Sequence, residues 1–266
     1  MHELLNVAVM AARRAGAVLG RNFHKRHKLT VNMKGHNDFV SSADLAAERA
    51  IIDVIHKHYP DHAILAEESG AAGDSDHRWI IDPLDGTTNY LHGFPVFAVS
   101  IGVEVSGRLE HAVVYDPMRE ELFTASRGAG AQLDEHKIRV SGTSELQHAL
   151  IGTGFPFREH NKDLEPSLAM LGKTLNNTSG VRRPGAAALD LCYVACGRLD
   201  AFWETGLSPW DLAAGTLIIR EAGGIISALD GGENHLETGH VLAGTPRIYR
   251  DFAKLCSREI GAILAD

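Results

Sequence analysis

Several acidic residues have the types and spacing needed to bind a hard metal ion. Asp82 and Asp85 lie three residues apart after Trp79-Ile80-Ile81, an apolar run typical of a buried strand, and Gly86-Thr87 follows them. Further acids stand beside other predicted strand and helix ends: Asp38 with Asp44, Glu67 with Glu68, and Asp211. Carboxylate oxygens suit Mg²⁺, and the amides of a glycine turn suit an anion. The pattern predicts a combined metal and anion site.

Each acidic group also has a purely structural interpretation. Asp44 and Asp211 could be helix caps, a position at which Asp is preferred. Glu67-Glu68 could be solvated loop charges, and Asp82-x-x-Asp85 could be an Asx turn beside a proline. Against this, a carboxylate at the end of a buried strand needs a partner or a cation, because an unpaired buried charge is costly. The residues alone leave both interpretations open.

Composition restricts the class of protein. The 266 residues carry a formal net charge of -8, which argues against non-specific nucleic-acid binding. A phosphate could approach the acidic residues only with divalent cations between them. The three cysteines favour a reducing compartment, so we expect a cytoplasmic location. No apolar segment approaches the ~20 residues of a membrane span, and no signal peptide is recognised, so no membrane association is expected.

Hydrophobic periodicity predicts a mixed α/β fold. Helices are predicted over 3–21 and from Ser42 to Tyr59, followed by short strands at 63–66, 78–82, 96–105, 111–116 and 121–126. We expect these strands to form a meandering antiparallel sheet covered by the two helices. Strands at 149–153, 179–183, 199–203, 224–228 and 240–243 then alternate with helices at 163–175, 186–196, 210–222 and the C-terminus. This predicts an N-terminal α+β domain over 1–145 and a C-terminal α/β domain over 146–266, with a cleft between them.

The motifs resemble, in order and over essentially the full length, those of the inositol monophosphatase family. The segments 79–89 and 209–215 look like its two signatures, and 37–44 and 67–69 match as well. The resemblance implies a layered α/β/α/β/α sandwich of the inositol monophosphatase and fructose-1,6-bisphosphatase type. It also implies that the protein forms a homodimer, as family members usually do. It also implies Mg²⁺-dependent hydrolysis of a small-molecule phosphate monoester, myo-inositol 1-phosphate or a related polyol phosphate, with inhibition by lithium.

Roles for single residues follow from the same resemblance. The Mg²⁺ ligands would be Glu67, Asp82, Asp85, Asp211 and the carbonyl of Leu84. The catalytic residues would be Asp44, Glu67 and Thr87, with Asp44 and Thr87 helping water to lose its proton. The substrate would contact Asp85, Gly86, Thr87, Gly185, Ala187, Glu204 and Asp211. Lys34 matches a family lysine near the site, and Ala186 stands where relatives often have Ser or Thr.

Other functions stay open. Within the same superfamily the alternatives are a nucleotide 3′-phosphatase, a fructose-1,6-bisphosphatase and a histidinol phosphatase. Some bacterial family members are also partners of the transcription antitermination machinery in ribosomal RNA synthesis, so the resemblance permits such a complex. The basic segment 21–28 and Arg182-Arg183 are candidate surfaces for it; Arg182-Arg183 could equally line the cleft mouth or a subunit contact. His24/His27 and Cys192/Cys196 are interpreted as structural residues and not as metal ligands.

Overall fold

Two long helices form the first layer of the fold. The structure is a computed structural model that describes residues 2–35, 38–155 and 164–265. Helix α1 (Glu3–Phe23) precedes a hairpin of β1 (Val31–Gly35) and β2 (Asp38–Ser41), and α2 (Ser42–His58) follows. The buried residues of α1 recur every three or four positions, as in Leu4, Ala8, Ala11, Ala15 and Leu19. Both predicted helices are confirmed, and the hairpin was not predicted.

The second layer is an eight-stranded sheet. Its strands are β3 (Ala63–Ala66), β4 (Gly70–Ala72), β5 (His77–Asp85), β6 (Ala98–Val105), β7 (Arg108–Asp116), β8 (Glu121–Ser126), β9 (Gly130–Leu133) and β10 (His136–Lys137). Their order is β10-β9-β8-β7-β6-β5-β3-β4. The expected antiparallel meander is correct from β5 to β8 and wrong at β3, which pairs parallel to β5. The cause is β4, which turns the chain out to the sheet edge before it returns to β5. Strands β4, β9 and β10 were not predicted.

The short helix α3 (Thr87–His92) follows β5, and the second half of the chain supplies the remaining layers. The helices between the two sheets are the third layer, and a five-stranded sheet is the fourth. The five-stranded sheet has the order β12-β11-β13-β15-β14 and consists of β11 (Leu150–Thr153), β12 (Gly180–Arg182), β13 (Ala201–Glu204), β14 (Ile225–Ser227) and β15 (Val241–Gly244). Helices α4 (Leu164–Asn177), α5 (Ala187–Ala195), α6 (Pro209–Glu221) and α7 (His235–Thr238) lie between these strands in the chain. All five predicted strands are confirmed. Residue 163, the predicted start of α4, lies outside the described residues.

Helices α5 and α6 fill the space between the two sheets. Helix α6 packs on β5 to β9 of the larger sheet and on β14 of the smaller one, and α5 packs on β13 and β15. The outer face of the smaller sheet is covered by α4, α8 (Pro246–Leu255) and α9 (Ser257–Leu264). The single predicted C-terminal helix is therefore two helices, interrupted at Cys256. The layer order confirms the predicted α/β/α/β/α sandwich.

The two sheets use separate parts of the sequence. The larger sheet comes from residues 63–137 and the smaller from 150–244, while the apolar core around α5 and α6 draws on both. The division into two domains at residue 145 stays a prediction. Among the described residues, no helix has the length and apolar character required to cross a bilayer.

Candidate active site

Three of the predicted acidic residues meet where β5 leaves the larger sheet. Asp82 and Asp85 end β5 and are buried, and Asp211 lies in the first turn of α6. One carboxylate oxygen of each lies within 4.8 Å of those of the other two. Within the described residues, no other group of three or more His, Cys, Asp or Glu side chains is this close. Three converging oxygen donors fit a hard divalent cation.

A bulge in β5 brings Asp82 and Asp85 together. Asp82 pairs with Ser100 and Asp85 with Ala98, so three steps along β5 face two along β6. In a regular strand, side chains three residues apart point to opposite faces, and the bulge removes that separation. Pro83 lacks an amide hydrogen and fits the irregular position. Asp82 Oδ1 also accepts the Leu84 amide at 2.9 Å, so the Asx-turn interpretation is correct without excluding a metal site.

Gly86 makes the turn from β5 into α3 possible. Its φ of 94° and ψ of 36° lie in the left-handed region, which favours glycine. A Cβ at this position would lie 3.0 Å from the Val96 carbonyl oxygen and 3.2 Å from that of Gly185. The turn therefore requires glycine, both for its positive φ and for the lack of space for a Cβ. Helix α3 begins at the next residue, Thr87, directly beside the acidic residues.

Asp44 links the start of α2 to Thr87. The Ser41 amide donates to Asp44 Oδ2 at 3.0 Å in a capping box, and Thr87 Oγ1 lies 3.0 Å from Asp44 Oδ1 and 3.1 Å from the Leu84 carbonyl oxygen. Burial raises the pKa of Asp44, and hydrogen bonds from Ser41 oppose the rise. Asp44 is thus both a cap and a partner of Thr87, two roles that the sequence presented as alternatives.

The second half of the chain completes the cluster through two helix starts. Asp211 Oδ2 accepts the Ser208 amide at 2.7 Å in the capping box of α6, so this residue too is both a cap and part of the acidic cluster. Asp85 Oδ2 accepts the Ala188 amide at 2.8 Å. The N-cap residue of α5 is Ala186, which offers no capping side chain. Asp85, at the end of β5, therefore caps this helix instead.

Burial and mutual repulsion change the acidity of this cluster. Burial raises the pKa of Asp82 well above its usual range, and Glu67, Asp85 and Asp211 raise it further. Burial and the neighbouring Asp211 raise the pKa of Asp85 to about 8. Burial also raises the pKa of Glu204 to about 8, although Arg183 opposes the rise. A cluster that retains protons in this way exchanges them for a cation when one binds.

A cavity of about 430 Å³ opens beside the cluster. Its walls include most of the predicted site residues: Glu67, Asp82, Leu84, Asp85, Gly86, Thr87, Gly185, Ala187, Glu204 and Asp211. Asp44 contacts Thr87, a wall residue. Lys34 lies in β1, and its side chain, like that of Asp38 in β2, is outside the described part of the structure. Glu68 is not in the wall; its amide donates to the buried Glu48 at 2.9 Å.

Several wall residues were not predicted. Asn89 Nδ2 donates to the carbonyl oxygens of Val96 at 2.9 Å and Pro184 at 2.8 Å, which ties α3 to the loop before α5. Its position within the 79–89 motif was the available signal. Arg183, left open between the cleft mouth and a subunit contact, lines the cavity. The further unpredicted wall residues are Phe39, Thr88, His92, Leu207 and Trp210.

Comparisons with known proteins agree with this architecture. The sequence matches the inositol monophosphatase family over residues 1–260. It is 51% identical over 252 residues to Nus factor SuhB of Escherichia coli strain K12, covering 94% of each chain. The crystal structure of the extragenic suppressor protein SuhB from Bartonella henselae superposes with a TM-score of 0.94, at 43% identity, covering 97% of this chain and 99% of that one. The structure of inositol monophosphatase from Anabaena superposes with a TM-score of 0.84, at 40% identity, covering 96% of this chain and 95% of that one. The resemblance in the motifs is confirmed, and the chain belongs to the inositol monophosphatase family.

Proposed function

We propose that this protein is a Mg²⁺-dependent phosphatase that hydrolyses myo-inositol 1-phosphate and related polyol phosphates to the polyol and inorganic phosphate. The observation that carries the proposal is the convergence of Asp82, Asp85 and Asp211 within 4.8 Å at the wall of a cavity. Family membership supports phosphatase chemistry, and the Anabaena relative is named an inositol monophosphatase.

The donor set supports Mg²⁺ as the cofactor. The cavity is lined by Glu67, Asp82, Leu84, Asp85 and Asp211, and the four carboxylates and the Leu84 carbonyl offer only oxygen. Hard oxygen donors suit Mg²⁺ better than the thiolate and imidazole groups that select zinc. When bound, divalent cations would offset the charge of the phosphate and make a coordinated water more acidic.

Thr87 and Asp44 are proposed to move the proton of the attacking water. The Thr87 hydroxyl has one hydrogen, which can be donated to Asp44 at 3.0 Å, and its lone pairs then accept a hydrogen bond from a water in the cavity. The buried Asp44 has a raised pKa, which makes it a stronger base than an exposed carboxylate. The catalytic group would be this pair together with Glu67.

The phosphate and the polyol would occupy different walls of the cavity. Amides in the first turn of α3 have no acceptor within the helix, so those near Gly86 and Thr87 can donate to phosphate oxygens. Gly185, Ala187 and Glu204 lie on walls contributed by the second half of the chain. A carboxyl group there can donate or accept hydrogen bonds with polyol hydroxyls according to its protonation.

Phosphate release by the purified protein tests this function. With Mg²⁺, we expect turnover of inositol 1-phosphate, loss of activity in Asp211→Asn, and full activity in Asp74→Asn, whose side chain is exposed. A panel with a nucleoside 3′-phosphate, fructose 1,6-bisphosphate and histidinol phosphate separates the superfamily alternatives. Lithium should inhibit turnover. Failure to release phosphate from any small monoester would refute the proposal.

A second candidate function is favoured by the 51% identity to a Nus factor. The protein would then bind the transcription antitermination machinery as a partner, through a surface still to be mapped. Cells that carry Asp85→Asn in place of the natural gene distinguish the two functions. Healthy growth of the point mutant with impaired growth of the null strain would mean that catalysis is dispensable. Equal impairment of both strains would favour the phosphatase.

We also propose a homodimer, on the basis of the family resemblance. Sedimentation velocity of the purified protein measures the mass directly, and a species of 28.8 kDa would contradict the proposal.

A further inference from the structure

Asn89 of α3 connects the two walls of the cavity at which phosphate and polyol are proposed to bind. Residues 184–187, before and at the start of α5, form part of the second wall, and we call them the polyol segment. We propose that Asn89 is a positioning residue for substrate selection. Its amide group sets the distance between the polyol segment and the start of α3, and the enzyme thereby distinguishes polyol phosphates from alkyl phosphates without hydroxyl groups. The proposal deepens the phosphatase function proposed above and rests on it.

The amide group of Asn89 meets backbone carbonyls from two loops. Its Nδ2 lies 2.9 Å from the carbonyl oxygen of Val96, 2.8 Å from that of Pro184 and 3.2 Å from that of Gly185. Val96 stands between α3 and β6, whereas the other two acceptors lie 95 and 96 residues beyond Asn89 in the chain. Because an amide nitrogen has two hydrogens, these three acceptors use its whole donor capacity. Nδ2 therefore holds the polyol segment and is not available to the substrate.

The same carbonyl oxygens lie against the turn at which phosphate is proposed to bind. A Cβ on Gly86 would lie 3.0 Å from the Val96 oxygen and 3.2 Å from the Gly185 oxygen. A Cβ on Gly185 would in turn lie 3.1 Å from Asn89 Nδ2. The turn, the Asn89 amide and the polyol segment are thus in direct contact. A change at Asn89 therefore changes the spacing between the two binding walls.

Other contacts keep the rest of the site in place without Asn89. Thr87 Oγ1 lies 3.0 Å from Asp44 Oδ1, which connects the start of α3 to α2. Asp85 Oδ2 accepts the Ala188 amide at 2.8 Å, which connects α5 to β5. When the Asn89 amide is removed, only the polyol segment should gain freedom to move. The loss should weaken recognition of the polyol and leave recognition of the phosphate intact.

A matched pair of substrates tests the inference: myo-inositol 1-phosphate against cyclohexyl phosphate, which has the same ring without the free hydroxyl groups. Selectivity is kcat/KM for the first divided by kcat/KM for the second, measured by phosphate release. We expect a selectivity above one in the natural protein. In Asn89→Ala it should fall by about 5-fold to 150-fold, the range for a polar group of the substrate left without its partner. The fall should appear as a higher KM for inositol 1-phosphate, with an unchanged inhibition constant for inorganic phosphate.

Two further variants keep the test decisive. Tyr90→Phe removes the hydrogen bond of the next residue of α3, from the Tyr90 hydroxyl to the Leu19 carbonyl oxygen of α1 at 2.8 Å; it should lower the melting temperature and leave the selectivity unchanged. Asn89→Ser keeps one donor hydrogen and should show a smaller fall, measurable even if Asn89→Ala folds poorly. A selectivity of one or less in the natural protein, a natural selectivity in the more severe Asn89 variant that folds, or an equal fall in Tyr90→Phe would overturn the inference. No phosphate release from either substrate would instead refute the phosphatase function, a separate and visible outcome.

Discussion

Replacement of Gly154 by alanine should impair substrate binding while the protein stays folded. Gly154 follows β11, and the carboxyl group of Glu204 lies directly against its Cα. An added Cβ would lie much closer than 3.0 Å to the carboxyl carbon and to both of its oxygens. Something must shift, and the nearest atoms are the end of a side chain that faces the cavity. Glu204 would therefore swing away from the position in which we expect it to contact the polyol.

The size of the effect follows from this overlap. The carboxyl group must move by about 1 Å or more, a displacement that can cost about a hundredfold in rate when it affects a substrate-positioning group. Loss of this hydrogen bond leaves a polar group of the polyol without its partner, which corresponds to about 1–3 kcal/mol, or about 5-fold to 150-fold in kcat/KM. Because the side chain can move into open space, the loss of stability should stay below the ~1–3 kcal/mol of an overpacked core.

Kinetics and thermal unfolding of matched variants check this prediction. Gly172→Ala is the control, since nothing lies within 4 Å of a Cβ at this position in α4; it should stabilise the protein by about 0.5–1 kcal/mol and leave KM unchanged. If Gly154→Ala acts through Glu204, it should add nothing to the loss already caused by Glu204→Ala. Normal kinetics in Gly154→Ala, or additive losses in the double variant, would refute the reasoning.

Three further predictions concern acidity and proton transfer. In EDTA, the melting temperature should fall between pH 6.5 and 8.5. Asp85 and Glu204 have pKa values of about 8 in the folded protein, so they hold protons that the same residues in the unfolded chain have already released. The stability that these protons contribute is complete below the pKa of the unfolded chain and is lost as the pH rises through 8. Scanning calorimetry should show a weaker slope in Mg²⁺, and equal slopes would contradict cation binding at the cluster. Thr87→Val should lower kcat by about 10²–10⁴-fold in a phosphate-release assay, and a rate above a tenth of the natural one would exclude the proposed proton path. Ser41→Ala should cost about 1 kcal/mol and shift the acid limb of the kcat/KM–pH profile to higher pH, since the Ser41 hydroxyl donates to Asp44 Oδ2 and stabilises its ionised form; an unshifted limb would argue against this role.

The sequence predicted those parts of the site whose residues are neighbours in the chain. It predicted the layers of the fold wherever buried residues recur with a regular period. Trp79-Ile80-Ile81 indicated a buried strand, and the carboxylates beside it required partners. The parallel pairing of β3 and β5 was not predictable, because β4 is a three-residue Gly-Ala-Ala strand without an alternating pattern. The dual roles of Asp44 and Asp211 were also hidden. A cap is a contact between neighbours in sequence, whereas the link to Thr87 or to β5 depends on tertiary structure.

The helix contact of Asp85 was beyond sequence reasoning for a related reason. Ala186 indicated a missing hydroxyl at the start of α5, and nothing in the sequence shows which group replaces it. The Ala188 amide is satisfied by Asp85, about a hundred residues earlier in the chain. Long-range pairings of this kind are determined by the docking of α5 between the sheets and not by local propensity.

The distribution of the acidic cluster along the chain has a consequence for protein synthesis. Asp82 and Asp85 leave the ribosome more than 120 residues before Asp211, which takes its place only when α6 inserts between the two sheets. Contacts of such high sequence separation carry a large loop-closure entropy cost and form slowly. A nascent chain should therefore carry two of the three carboxylates without strong cation affinity. In the proposed function, Mg²⁺ would bind only folded molecules, and by mass action it would stabilise α6 in its place between the sheets against partial unfolding and proteolysis.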